Sequence, residues 1–114
     1  MARKAIPGPL ERRHLLAREI PADQALRIGE AYVAEERFPE AVEFLQKAGA
    51  DERLEALRAR AIEAGDAFLL RAVARAQDEP PARQDWLRLA EAAAAAGKLQ
   101  YEEEARRQAE RGEE

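Results

Sequence analysis

Apolar residues recur along this chain at intervals of three and four, and proline or glycine breaks the pattern at regular distances. That periodicity predicts a series of short amphipathic helices. The first runs from Leu10 to Ile20, between Pro7-Gly8-Pro9 and Pro21. A second starts near Asp23 and reaches about Glu36; Ala25, Ile28 and Tyr32 share a face with Gly29 and Val33. Pro39 opens the third, which carries Ala41, Phe44, Leu45 and Ala48 and stops at Gly49. Asp51 is placed to N-cap the fourth, whose stripe is Leu54, Leu57, Ala61 and Ile62, ending at Gly65. Asp66 caps the fifth, carried by Phe68, Leu69, Ala72, Val73 and Ala76 until Pro80 and Pro81 interrupt it. Pro81 can begin the sixth, with Trp86, Leu89, Ala90 and Ala93 on one face and Gly97 at its end. The last spans about Leu99 to Arg111, with Glu102–Arg106 and Glu103–Arg107 as favourable pairs one turn apart.

Helices joined by so few residues pack antiparallel with their neighbours. Three hairpins are expected, at about 22–48, 51–78 and 82–111, with starts spaced near 30 residues apart. The domain plan is a flexible N-terminus over 1–9, a single helical-repeat domain over 10–111, and a disordered polar tail over 112–114.

Composition agrees with helices and weighs against strands. Hydrophobic residues make up 46% of the 114-residue chain and charged residues 37%, but aromatics only 5%, because alanine supplies much of the apolar count. Without cysteine there are no disulfides and no thiolate metal sites. The opening stretch lacks the apolar core of a secretory leader, and no run has the length and apolarity of a membrane helix, so a cytoplasmic protein without membrane contact is expected. The net charge of −4 disfavours nucleic acid as a partner. Charge is unevenly spread: residues 1–20 hold five basic and two acidic groups, residues 101–114 three basic and six acidic ones. Opposite ends of that kind permit a homo-oligomer, although solvated termini would read the same way.

The first hairpin resembles a tetratricopeptide repeat. Ala25, Ile28, Gly29 and Tyr32, then Phe38, then Ala41, Leu45 and Ala48 follow that family's spacing, with Ala25 in place of the usual bulky first residue. Trp86, Leu89, Ala90 and Ala93 resemble the first helix of a second such repeat, whereas Glu102 falls where the family has a small residue. The middle hairpin keeps only the apolar spacing. A period near 30 rather than 34 also resembles the shorter repeats of clathrin- or coatomer-type α-solenoids. The resemblance implies an all-α fold, a short right-handed α-solenoid of about three antiparallel helical hairpins plus a short N-terminal helix. It implies that Gly29 and Ala90 let the helices of a hairpin approach closely. It also implies a concave face that holds a peptide or protein segment, lined by Asp23, Leu26, Arg27, Glu30 and Val33 and, in the third hairpin, by Gln84, Leu87, Arg88, Glu91 and Ala94. Arg53, Arg60 and Glu63 would come from the middle hairpin. The Lys and Asn positions that grip a terminal carboxylate in one subset of the family are Leu26 and Glu30 here, so that activity is not implied.

The residues offer little to catalysis. No Ser, Thr or Cys is present, and Tyr32 and Tyr101 carry the only side-chain hydroxyls. His14, the single histidine, has no second histidine or cysteine with which to hold a metal, so neither metal nor cofactor is expected. The carboxylate pairs Glu35–Glu36, Asp78–Glu79 and Glu102–Glu104 read as solvated helix ends rather than an acid/base site. Trp86 fits a binding anchor, but packing is its expected role. The expected function is a non-catalytic protein–protein interaction module, an adaptor or scaffold; the alternative is a structural, self-assembling homo-oligomeric helical protein.

Overall fold

The computed structural model describes residues 6–111. The assignments made for residues 1–5 of the N-terminus and for the tail at 112–114 lie outside the described residues. Among the described residues the structure is all-α: α1 (Pro9–Ala17), α2 (Ala22–Ala34), α3 (Phe38–Ala48), α4 (Asp51–Ala64), α5 (Ala67–Gln77), α6 (Arg83–Ala95) and α7 (Leu99–Arg111), with no strand. Two compact units divide within α4, the first ending at Leu54 and the second starting at Glu55.

In the first unit α2 and α3 pack along one another. Ala25, Ile28 and Tyr32 of α2 and Ala41, Phe44 and Leu45 of α3 are buried, and the Tyr32 and Phe44 rings stack with centroids 5.8 Å apart. Gly29 lies against Leu45: a Cβ there would sit 2.8 Å from Leu45 Cδ2, so the small residue permits the approach. α1 contributes one buried side chain, Leu15.

In the second unit α6 and α7 pack together and α7 also touches α5. Gln77, the last residue of α5, accepts from Arg58 and donates to Glu55, both on α4. Asp66 caps α5 as expected, its Oδ1 accepting from the Leu69 N–H at 3.0 Å. Trp86, Leu89, Ala90 and Ala93 are buried on α6, and α7 adds Ala105 and Ala109.

One device ends five helices. The N–H of Arg37, Ala50, Asp66, Glu79 and Lys98 donates to the carbonyl five residues earlier, on Tyr32, Leu45, Ala61, Ala74 and Ala93 respectively. The intervening residue is left-handed each time: Gly49, Gly65 and Gly97, but also Glu36 at φ 60° and Asp78 at φ 54°. This is the Schellman closure, which satisfies orphan carbonyls while turning the chain.

Several local expectations change. α1 begins at Pro9 and stops at Ala17, so Pro9 is helical and Ile20 is not. Asp51 is the first residue of α4 rather than its cap; the Leu54 N–H bonds the Ala50 carbonyl. α6 starts at Arg83, after an extended Ala82, so Pro81 belongs to the connection. Phe68 is 53% exposed because α5 buries Ala67, Leu70 and Ala74 with Leu69 and Val73, which turns position 68 outward. Arg107 bonds Glu104 at 2.8 Å rather than Glu103.

Two stability predictions follow from the helix ends. Gly49 and Gly65 have nearly the same φ, 65° and 68°, but a Cβ at Gly49 meets nothing, whereas one at Gly65 would sit 2.6 Å from the Ala93 Cα and N. Gly49→Ala carries only the left-handed strain of about 1–2 kcal/mol. Gly65→Ala carries that strain plus displacement of α6 backbone, so it should melt lower in a thermal scan; equal losses would show that the approach to Ala93 is not tight. Conversely, Glu36→Gly relieves left-handed strain and should raise stability by about 0.5–1 kcal/mol in urea denaturation, with no gain counting against a strained Glu36.

Candidate functional site

Asp23, Leu26, Arg27 and Glu30 are three or four residues apart on α2, so they share the side turned away from Ala25, Ile28 and Tyr32. The three charged residues are exposed and Leu26 is half-buried. Arg27 Nη1 lies 3.5 Å from Asp23 Oδ2, and Arg53 Nε donates to Glu30 Oε2 at 2.7 Å. Asp23 and Leu26 line an open depression of about 430 Å³ together with Ala48, Ala50 and the first residues of α4. Val33 is half-buried farther along the helix.

The second set lies on α6, in the other unit. Gln84, Arg88 and Glu91 are exposed and Leu87 is half-buried; Ala94 is exposed. Arg88 borders a hollow of about 560 Å³ that Arg58, Glu63 and Asp85 also line, and the exposed Arg60 is not among its walls. Arg27 and Glu30, three residues apart, do not pair with each other: Arg27 turns to Asp23 and Glu30 to Arg53.

Arg58 is a residue that sequence reasoning missed. It is 7% exposed, the one buried charged residue among those described. Nη1 donates to Gln77 Oε1 at 2.7 Å and to the Glu79 carbonyl at 3.3 Å; Nη2 reaches the Pro80 carbonyl at 3.4 Å and lies 3.6 Å from Asp85 Oδ2. Asp85 in turn accepts from the Ala82 N–H at 3.0 Å, at the start of α6. One guanidinium therefore satisfies the carbonyls of the α5–α6 connection and helps fix where α6 begins. The signal for it was the spacing, for position 58 falls four after Leu54 and three before Ala61, on the buried stripe. Lys98 does a smaller job of the same kind, donating from Nζ to the Ala64 carbonyl at 2.8 Å.

The Tyr32 hydroxyl is buried without a hydrogen-bond partner, and burial raises its pKa above 10.0 despite the opposing charges of Arg12 and Arg37. Arg37 stacks its guanidinium 5.1 Å from the Tyr32 ring centroid. Glu104 is held below its usual 4.5 by hydrogen bonds from Gln108 and Arg107, with Arg71 adding attraction. Both groups serve packing and pairing between neighbouring helices. Among the described residues no group of three His, Asp or Glu is placed to hold a metal, and His14 is exposed. No described helix is long and apolar enough to cross a membrane.

Comparison with protein-family models, with curated proteins and with solved structures finds no match to the chain in any of the three.

The Arg58 network predicts a large effect from a single change. Arg58→Ala should lower unfolding stability by about 2–4 kcal/mol, because it strands Asp85 and two carbonyls in a half-dry turn. Arg58→Lys should recover only part of this, as an ammonium cannot reach all four acceptors. An alanine variant as stable as the parent in chemical denaturation would refute the clamp.

Proposed function

We propose that this chain is a non-catalytic protein–protein interaction module, an adaptor or scaffold of the cytoplasm, binding a peptide or protein segment through exposed helix faces. The observation that carries this reading is a repeated surface. Leu26-Arg27 with Glu30 on α2 and Leu87-Arg88 with Glu91 on α6 present the same order, each a half-buried leucine beside an exposed arginine and glutamate. A partly covered aliphatic side chain flanked by charge is the composition of a specific but reversible contact. The short right-handed α-solenoid of tetratricopeptide kind belongs to this proposal, and so does Arg60 as a further contact. The absence of Ser, Thr and Cys, and the lone exposed histidine, support a role without chemistry.

Self-assembly is the second reading, favoured by three large apolar side chains on the surface: Leu10, 66% exposed, Phe68, 53%, and Leu99, 65%. Light scattering over a concentration series separates the two. A constant monomer supports the adaptor, and a stable dimer supports assembly. Arg27→Glu combined with Arg88→Glu should abolish capture of the natural partner from lysate, while helicity and melting temperature stay close to the parent's, since both side chains are exposed. Undiminished capture by that double variant would remove these faces from the interface.

A further inference from the structure

At the start of α2 and the junction of α3 with α4, Ala22, Leu26, Ala48 and Ala50 form the apolar floor of the 430 Å³ depression. Its rim is acidic, with Asp23 from α2 and Asp51 and Glu52 from the first turn of α4. Arg53 is the one cation among the lining residues, and its guanidinium is already engaged by Glu30. Asp51 and Glu52 have no cationic partner among the described residues. Asp23 has only the 3.5 Å pair with Arg27, in which the two side chains are 69% and 79% exposed, so that pair contributes little and is readily exchanged.

Acids in a first turn complement the helix dipole, which accounts for their sign. It does not account for the aliphatic floor they surround. Together the two features define an occupant: an apolar side chain seated on Leu26 and the alanines, with a neighbouring cation brought to Asp51 and Glu52. We propose that this depression docks a basic, apolar polypeptide segment of a partner protein, an aliphatic side chain next to Lys or Arg. The proposal rests on the reading of the chain as an interaction module and narrows what it binds. The same carboxylates repel acidic segments and nucleic acid.

The test is a backbone-amide NMR titration of the whole chain with two capped peptides, Gly-Lys-Leu-Arg-Leu-Gly and its acidic counterpart Gly-Glu-Leu-Asp-Leu-Gly. Amides of residues 22–26 and 48–53 should shift with the basic peptide alone, and less at higher salt. Asp51→Lys with Glu52→Lys should weaken that binding at least about fivefold. Asp51→Asn with Glu52→Gln, which keeps the shape and removes the charge, should weaken it less. Equal shifts with both peptides, shifts with neither, or unchanged affinity in the lysine variant would overturn the proposal. A concentration-dependent dimer broken by the lysine substitutions would overturn it in favour of a second copy. Failure of the broader reading looks different: the parent chain then captures no specific protein from lysate. A partner captured equally by the parent and the lysine variant defeats the docking site alone.

Discussion

Each helix from α2 to α6 is closed by the same backbone hydrogen bond, from the N–H just past a left-handed residue to the carbonyl five positions earlier. The rest of the structure depends on that closure. It satisfies carbonyls that would otherwise be orphaned and reverses the chain within a few residues. In the first unit the helices joined in this way, α2 and α3, lie against one another, and in the second unit so do α6 and α7. The helices are accordingly short, 11 to 14 residues from α2 to α6. Helices of this length are marginal in isolation, so their stability has to come from the faces they bury against one another.

Those faces are built from small residues. Ala25, Ala41, Ala61, Ala67, Ala90, Ala93 and Ala105 have no exposed surface, and Gly29 and Gly65 mark the tightest approaches, to Leu45 and to the Ala93 backbone. Small side chains bring backbones together, and a few large ones, Tyr32, Phe44 and Trp86, fill the space left beside them. Such a core buries modest apolar area per residue. Polar links between helices therefore take a larger share of the work, and Arg58 is the principal one in its unit, binding the α5–α6 connection where the prolines leave carbonyls without helical partners.

What was legible in the sequence followed the strength of the local signal. The stripe of α6, the Asp66 cap and the glycine stops at Gly49, Gly65 and Gly97 were all readable, because periodicity, capping chemistry and left-handed propensity act within a few residues. Asp78 does the same job with a weaker left-handed propensity than glycine, and Glu36 with none; at Glu36 the surrounding fold imposes the conformation against local preference. Phe68 misled for the opposite reason, since its hydrophobicity argued for the core while α5 had already filled its buried face with its neighbours. Arg58 was hidden because a charge on an apolar stripe makes sense only once the carbonyls of residues 79 and 80 are known to lie beside it. For the candidate site, the face of α2 was readable from spacing alone. Its ion pairing was not, because Arg53, the partner of Glu30, comes from another helix.

Arg27, Glu30 and Arg53 are 69%, 44% and 50% exposed, and each already has an intramolecular partner. A ligand charge there replaces an existing solvated pair, so the contribution of these side chains is felt chiefly when one of them is reversed in sign. Asp51 and Glu52 differ, because neither forms an ion pair among the described residues, and the nearby Arg53 is engaged by Glu30. A cationic segment would gain new pairs with them, and an anionic one would meet uncompensated repulsion. In the proposed docking site, discrimination between partners would fall to these two carboxylates, and the aliphatic residues beside them would supply affinity that does not depend on charge.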